Sequence, residues 1–187
     1  VTHGNQGGEI RPLILWGGGG GVSMFTFGYQ SGKKIEFLRA DISENNVTMI
    51  QQNVTADVYI LAQGGAVYGI AGVNEESLDL REVTMADNRI EVLDPSDAPW
   101  RSRAQGGGLH VVQGPLNSFG WARVFQSTLS GNTIQSSGGA QGGGAAVVSA
   151  TKSCLDSAQH PTTVMENVTV SRNSVEGGAT TSEGGGL

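Results

Sequence analysis

At 187 residues, with 30 glycines, 37% hydrophobic and 15% charged content, the chain lacks the apolar mass of one large spherical core and suits a thin interior shared along its length. A formal net charge of -6, with no block of Lys or Arg, argues against nucleic acid and anionic lipid as partners. Apolar runs of a few residues fall far short of the roughly 20 needed for a membrane-spanning helix, so direct membrane insertion by this segment is not expected.

The first predicted feature is a glycine run, Trp16 to Val22. It carries five glycines without the Lys-Ser/Thr and helix that a phosphate cradle needs. Lys34 to Leu38 follows as a short alternating segment of strand type. Ile42-Asn45-Val47 then opens a pattern that recurs as Met85-Asn88-Ile90, Leu129-Asn132-Ile134 and Val170-Asn173-Val175. The four Asn residues are 43, 44 and 41 positions apart.

Val58 to Leu61 is the next strand signal, and it runs into Gln63-Gly64-Gly65-Ala66-Val67. This second signature recurs as Gln105-Gly106-Gly107-Gly108-Leu109, Gln141-Gly142-Gly143-Gly144-Ala145 and Glu183-Gly184-Gly185-Gly186-Leu187. Two interleaved signatures of nearly equal period denote one structural unit repeated. Further strand signals lie at Ser77 to Val83, Leu109 to Val112 and Val164 to Val170, whereas helix signals are nearly absent. Asp94 to Arg103 and Lys152 to Thr163 read as inserted loops.

These patterns predict an all-β, right-handed parallel β-helix: one continuous segment over 1–187, in repeats of roughly 1–22, 23–67, 68–109, 110–145 and 146–187. Each repeat of 36 to 45 residues holds two strand-rich stretches, which suggests about two coils per repeat, or some nine rungs over roughly 40 Å. The Asn of each repeat, Asn45, Asn88, Asn132 and Asn173, is expected at a sharp left-handed turn with its amide bonded to the next Asn along the stack. Gly65, Gly107, Gly143 and Gly185 are expected where backbones crowd and positive φ is needed. The chain is read as an internal piece of a longer protein.

The alternation of the two signatures resembles the polymorphic outer membrane protein repeat, although Ile42, Met85, Leu129 and Val170 stand where that repeat usually has Phe. The resemblance covers residues from about 35 to 187. It implies a right-handed parallel β-helix at a cell surface, serving adhesion or as a stalk, with no catalytic residues.

Three sequons, at Asn46, Asn53 and Asn167, are candidate N-glycosylation sites. Asn46 should point outward beside an inward Asn45, and sugars at these sites would coat one side of a rod. Cys154 is a lone cysteine and a candidate disulfide partner for a group beyond this segment. His3, His110 and His160 are too scattered for a metal site, and His110, alternating with Leu109 and Val111, is expected to face solvent. Asp41, Asp79 and Asp87 lie at unlike offsets from the repeat Asn, so no shared carboxylate face for polysaccharide cleavage emerges. An ice-binding face would need a Thr ladder, and the residues after the repeat Asn are Asn46, Arg89, Thr133 and Ser174. Trp16, Trp100, Trp121 and Tyr68 are candidate sugar-stacking platforms.

The resulting expectation is a non-enzymatic, extracellular or cell-surface structural glycoprotein without cofactor, a stalk or filament subunit joining end to end or to flanking parts of its own chain. The competing expectation is a surface adhesin whose loops bind a receptor or carbohydrate; a polysaccharide-degrading enzyme ranks below both.

Overall fold

In a computed structural model, the residues described are 13–25, 34–50, 58–71, 77–93, 102–113, 121–149, 162–178 and 182–186. Among them the chain is all β, with no helix. The first repeat supplies β1 (Leu13–Gly18), β2 (Val22–Phe25), β3 (Lys34–Leu38) and β4 (Asn46–Ile50). The second supplies β5 (Val58–Gln63), β6 (Val67–Ala71), β7 (Ser77–Arg81), β8 (Thr84–Ala86) and β9 (Arg89–Leu93). The third supplies β10 (Ser102–Gln105), β11 (Leu109–Gln113), β12 (Trp121–Phe125), β13 (Thr128–Ser130) and β14 (Thr133–Ser136). The fourth supplies β15 (Gly139–Gln141), β16 (Ala145–Ser149), β17 (Thr162–Glu166), β18 (Thr169–Ser171) and β19 (Ser174–Gly177), and β20 (Ser182–Glu183) begins another round.

These strands form five parallel sheets, ordered β1-β5-β10-β15-β20, β2-β6-β11-β16, β3-β7-β12-β17, β8-β13-β18 and β4-β9-β14-β19. Each sheet takes its strands from successive repeats. Where the first repeat has no β8 equivalent, Asp41 still bridges to Thr84. Sheet neighbours are therefore a full repeat apart, as in Leu109 pairing with Val67 and Ala145.

This register corrects the expectation of two coils per repeat. One repeat makes one layer, and four layers at about 4.8 Å span roughly 20 Å, half the length expected. The two signatures are two corners of the same layer, facing each other. A Cβ placed on Gly21 would lie 2.9 Å from the Asn45 amide nitrogen, one on Gly108 3.0 Å from that of Asn132, and one on Gly144 2.8 Å from that of Asn173.

The two corners pinch the interior into two apolar clusters. One gathers Val67, Leu109, Leu78, Leu80, Val124, Met85 and Leu129 from the second, third and fourth sheets. The other gathers Ile60, Ala62, Ala104 and Ala140 from the first sheet against Ile90, Val92 and Ile134 from the fifth. Strand alternation explains the sorting, since residues two apart share a face. Leu78 and Leu80 share the inner face of β7, and Ile90 and Val92 are buried between Arg89 and Leu93 on β9.

Chain reversals fall at recurring left-handed residues. Gly64, Gly106, Gly142 and Gly184 have φ between 63° and 67°. These are the first glycines of each signature, so positive φ belongs one position before Gly65, Gly107, Gly143 and Gly185. The second glycines answer close approach instead: a Cβ on Gly65 would stand 1.9 Å from the Gly107 carbonyl oxygen. The Asn residues are likewise not the left-handed ones; Glu44, Asp87, Gly131 and Arg172, each one residue earlier, hold φ of 53° to 65°. A third left-handed row, Arg39, Glu82, Gln126 and Asn167, divides the run expected as one strand over Val164 to Val170 between two sheets. The segments expected as loops end earlier than expected, with Ser102 and Arg103 in β10 and Thr162 and Thr163 in β17.

Candidate functional site: stacked amide columns

The most ordered polar feature is the Asn column. Asn45 Nδ2 donates to Asn88 Oδ1 at 2.9 Å, Asn88 Nδ2 to Asn132 Oδ1 at 2.8 Å, and Asn132 Nδ2 to Asn173 Oδ1 at 2.9 Å. The same oxygens accept backbone N–H groups from Asn45, Asn88 and Asn132 at 3.0, 3.2 and 2.9 Å. The remaining amide protons turn back to the preceding layer: Asn88 donates to the Ile42 carbonyl, Asn132 to that of Met85 and Asn173 to that of Leu129. Asn88 and Asn132 are completely buried, yet each side-chain amide meets partners on both ends, which is what makes buried polar groups tolerable.

A second column stands at the glycine corner. Gln63 Nε2 donates to Gln105 Oε1 at 3.0 Å and Gln105 Nε2 to Gln141 Oε1 at 2.9 Å. Glu183 is the register partner of Gln141 in the next round. The sequence carried the signal for this column, because Gln opens three of the four glycine signatures, but the glycines drew the structural reading. Two of the left-handed rows, that of Glu44, Asp87, Gly131 and Arg172 and that of Arg39, Glu82, Gln126 and Asn167, carry no such signal, being built of unlike residues.

Beside the Gln column, Tyr68 and His110 stack with ring centroids 5.6 Å apart and planes within 3°. Both are buried, His110 completely. This overturns two expectations: His110 does not face solvent, and Tyr68 is not an open platform for sugar. His110 does lie opposite the inward Leu109 and Val111, as alternation requires, but on that face its ring is buried against Tyr68 and Gln63. His110 Nε2 lies 3.0 Å from Gln63 Nε2, and its Nδ1 meets no hydrogen-bond partner among the described residues. Burial lowers the imidazole pKa to about 4 and raises that of the Tyr68 phenol.

The other sequence candidates do not converge on a site. Asp41 and Asp87 are exposed, whereas Asp79 is buried on β7 beside Arg81, 3.4 Å away. No group of three metal-ligating side chains occurs among the described residues, and no helix there is long and apolar enough to cross a membrane. A threonine row does occur, away from the position considered in the sequence: Thr84, Thr128 and Thr169 pair across β8, β13 and β18.

Among the sequons, Asn46 is exposed at the start of β4, and Thr48 Oγ1 donates to its side-chain oxygen at 3.2 Å. Asn167 is exposed at a left-handed corner. These two occupy different rows, on either side of the narrow β8-β13-β18 sheet, so sugars there would not share one line along one face. Asn53, Cys154, His3, His160 and Trp100 lie outside the described residues, as do the side chains of Trp16 and Trp121.

No family model, curated protein or solved structure matches this chain.

Proposed function

We propose that this chain is a structural rod segment: a right-handed parallel β-helix with one coil per repeat, working at a cell surface or in the extracellular space as a stalk or filament subunit. The observation that carries the reading is that successive repeats pair in register in all five sheets while the same amide is handed from Asn45 to Asn173. Such a stack resists shear because displacing one layer breaks backbone ladders and two side-chain columns together. Right-handed winding is supported by the strong preference of parallel crossovers for that hand. The resemblance to the polymorphic outer membrane protein repeat agrees with this architecture and with a surface location.

In this reading the chain's work is mechanical and needs no cofactor or catalytic group. N-linked sugars on Asn46, Asn53 and Asn167 protect the rod and keep sheet edges apart. The side-chain rungs of the Asn column all run one way, so a further layer from flanking chain or from another copy extends it in the same sense.

Small-angle scattering tests the rod by comparing the chain with a tandem duplicate of it, which lengthens by roughly 20 Å at unchanged cross-section if the layers stack. A duplicate that widens, or that scatters as two separate bodies, refutes it. Expression in a glycosylating host, with mass analysis of peptides covering Asn46 and Asn167 before and after glycosidase, tests the sugar assignment.

A further inference from the structure

The structure of the glycine corner holds one ionisable ring inside a column of neutral amides. Gln63 Nε2 donates both to Gln105 Oε1 and to His110 Nε2, each at 3.0 Å. A ring that accepts at Nε2 carries its proton on Nδ1, the nitrogen without a partner. The groups facing His110 are Tyr68 from β6, Gln63 from β5 and, through Gln63, Gln105 from β10; Ala146 is its register partner on β16. Burial lowers its pKa, and none of the groups just named is a charged side chain that would compensate a proton there. His110 also packs on the corner itself, because a Cβ on Gly106 would stand 2.8 Å from the His110 Cβ.

We propose that His110 is an acid-operated latch: proton uptake at its Nε2 reverses or breaks the Gln63–Gln105–Gln141 column and loosens the glycine corner that follows. The proton comes from bulk solvent, and no bond other than N–H forms. Protonated Nε2 opposes the Gln63 NH2, donor against donor. Turning the Gln63 amide over presents its oxygen to the ring, but that oxygen then faces Gln105 Oε1. Gln105 must turn in response, and then Gln141 for the same reason, so a single proton acts across three layers. This latch is independent of the rod's location and partners.

The sign follows from linkage. The opened corner has an ordinary His pKa of about 6.5, while the closed one has a value of about 4, so the open form binds more protons between these limits. Closure is strongest above pH 6.5, weakens as pH falls, and levels off below pH 4. Between pH 7 and pH 4 the opening equilibrium rises about 100-fold.

The test uses the full chain carrying His3→Gln and His160→Gln, leaving His110 as the sole histidine. NMR of the ring follows its protonation, and hydrogen exchange, corrected for intrinsic rates, follows peptides covering 58–71 and 102–113. The latch predicts ring titration near pH 4, with exchange at Gly64 and Gly106 accelerating about 100-fold while the Asn corner at 131–134 stays protected. Ring titration near the ordinary value overturns the proposal, as does unchanged corner exchange while the ring titrates. Equal acceleration at the Asn corner also overturns it, because that is global acid unfolding. His110→Phe keeps the stack on Tyr68 and abolishes the pH response; if it fails to fold, the ring and exchange measurements decide alone.

Discussion

Truncating Asn132 to Ala tests the column at its best-buried link. The side chain is completely buried and makes four hydrogen bonds: it accepts from Asn88 N at 3.2 Å and Asn88 Nδ2 at 2.8 Å, and donates to Met85 O and Asn173 Oδ1, both at 2.9 Å. Ala leaves two donors of the equally buried Asn88 unsatisfied, each worth about 1–3 kcal/mol, and weakens two acceptors. The expected destabilisation is about 3–5 kcal/mol, a large share of the roughly 5–15 kcal/mol that holds a typical domain folded. Asn45→Ala is the internal comparison. Asn45 is only half-buried, and Asn88 Oδ1 keeps its bond from the Asn45 backbone N–H at 3.0 Å, so water replaces the loss at a cost of about 1 kcal/mol or less. Urea unfolding followed by far-ultraviolet circular dichroism, with destabilisation taken from the midpoint shift, separates the two. Variants within about 0.5 kcal/mol of each other refute the reasoning, since burial of the amide would then carry no weight.

Gly65→Ala drives a Cβ to 1.9 Å from the Gly107 carbonyl oxygen; the chain should lose at least about 3 kcal/mol or fail to accumulate as soluble protein, read by circular dichroism of the soluble fraction. Leu129→Ala, at a fully buried site, should cost about 2–5 kcal/mol, while Ile50→Ser, at a side chain 55% exposed, should stay within about 0.5 kcal/mol in the same unfolding assay. The Arg39–Glu82 pair is close, at 2.8 Å, but both side chains are solvent-exposed, so Glu82→Gln should change stability by less than about 1 kcal/mol at physiological salt.

Much of this architecture is written in local pattern. Lys34 to Leu38 and Val58 to Leu61 declare themselves as strands by alternation and β-branching, and the Asn period declares the repeat. Counting coils needs more, because two alternating signatures look the same whether they mark successive coils or opposite corners of one. What decides is that glycines such as Gly108 and Gly144 sit where a Cβ would collide with an Asn amide, a relation across the layer that no local window contains. The burial of His110 is hidden for a similar reason. Alternation places it opposite Leu109, but its contacts with Tyr68 and Gln63 join residues of different strands. Left-handed corners at Glu44, Asp87 and Arg172 are illegible because backbone geometry there is imposed by the stacked neighbours rather than by residue type.

The pinch between the glycine and asparagine corners ties two distant positions into one evolutionary unit. Any side chain gained on the glycine side must be answered by volume lost from the amide side of the same tier, and a change in that amide disturbs the tiers on either side. New tiers should therefore arise by copying a whole module in the existing direction, complete with both corners. Novelty is left to the segments between strands, where neither corner constrains length.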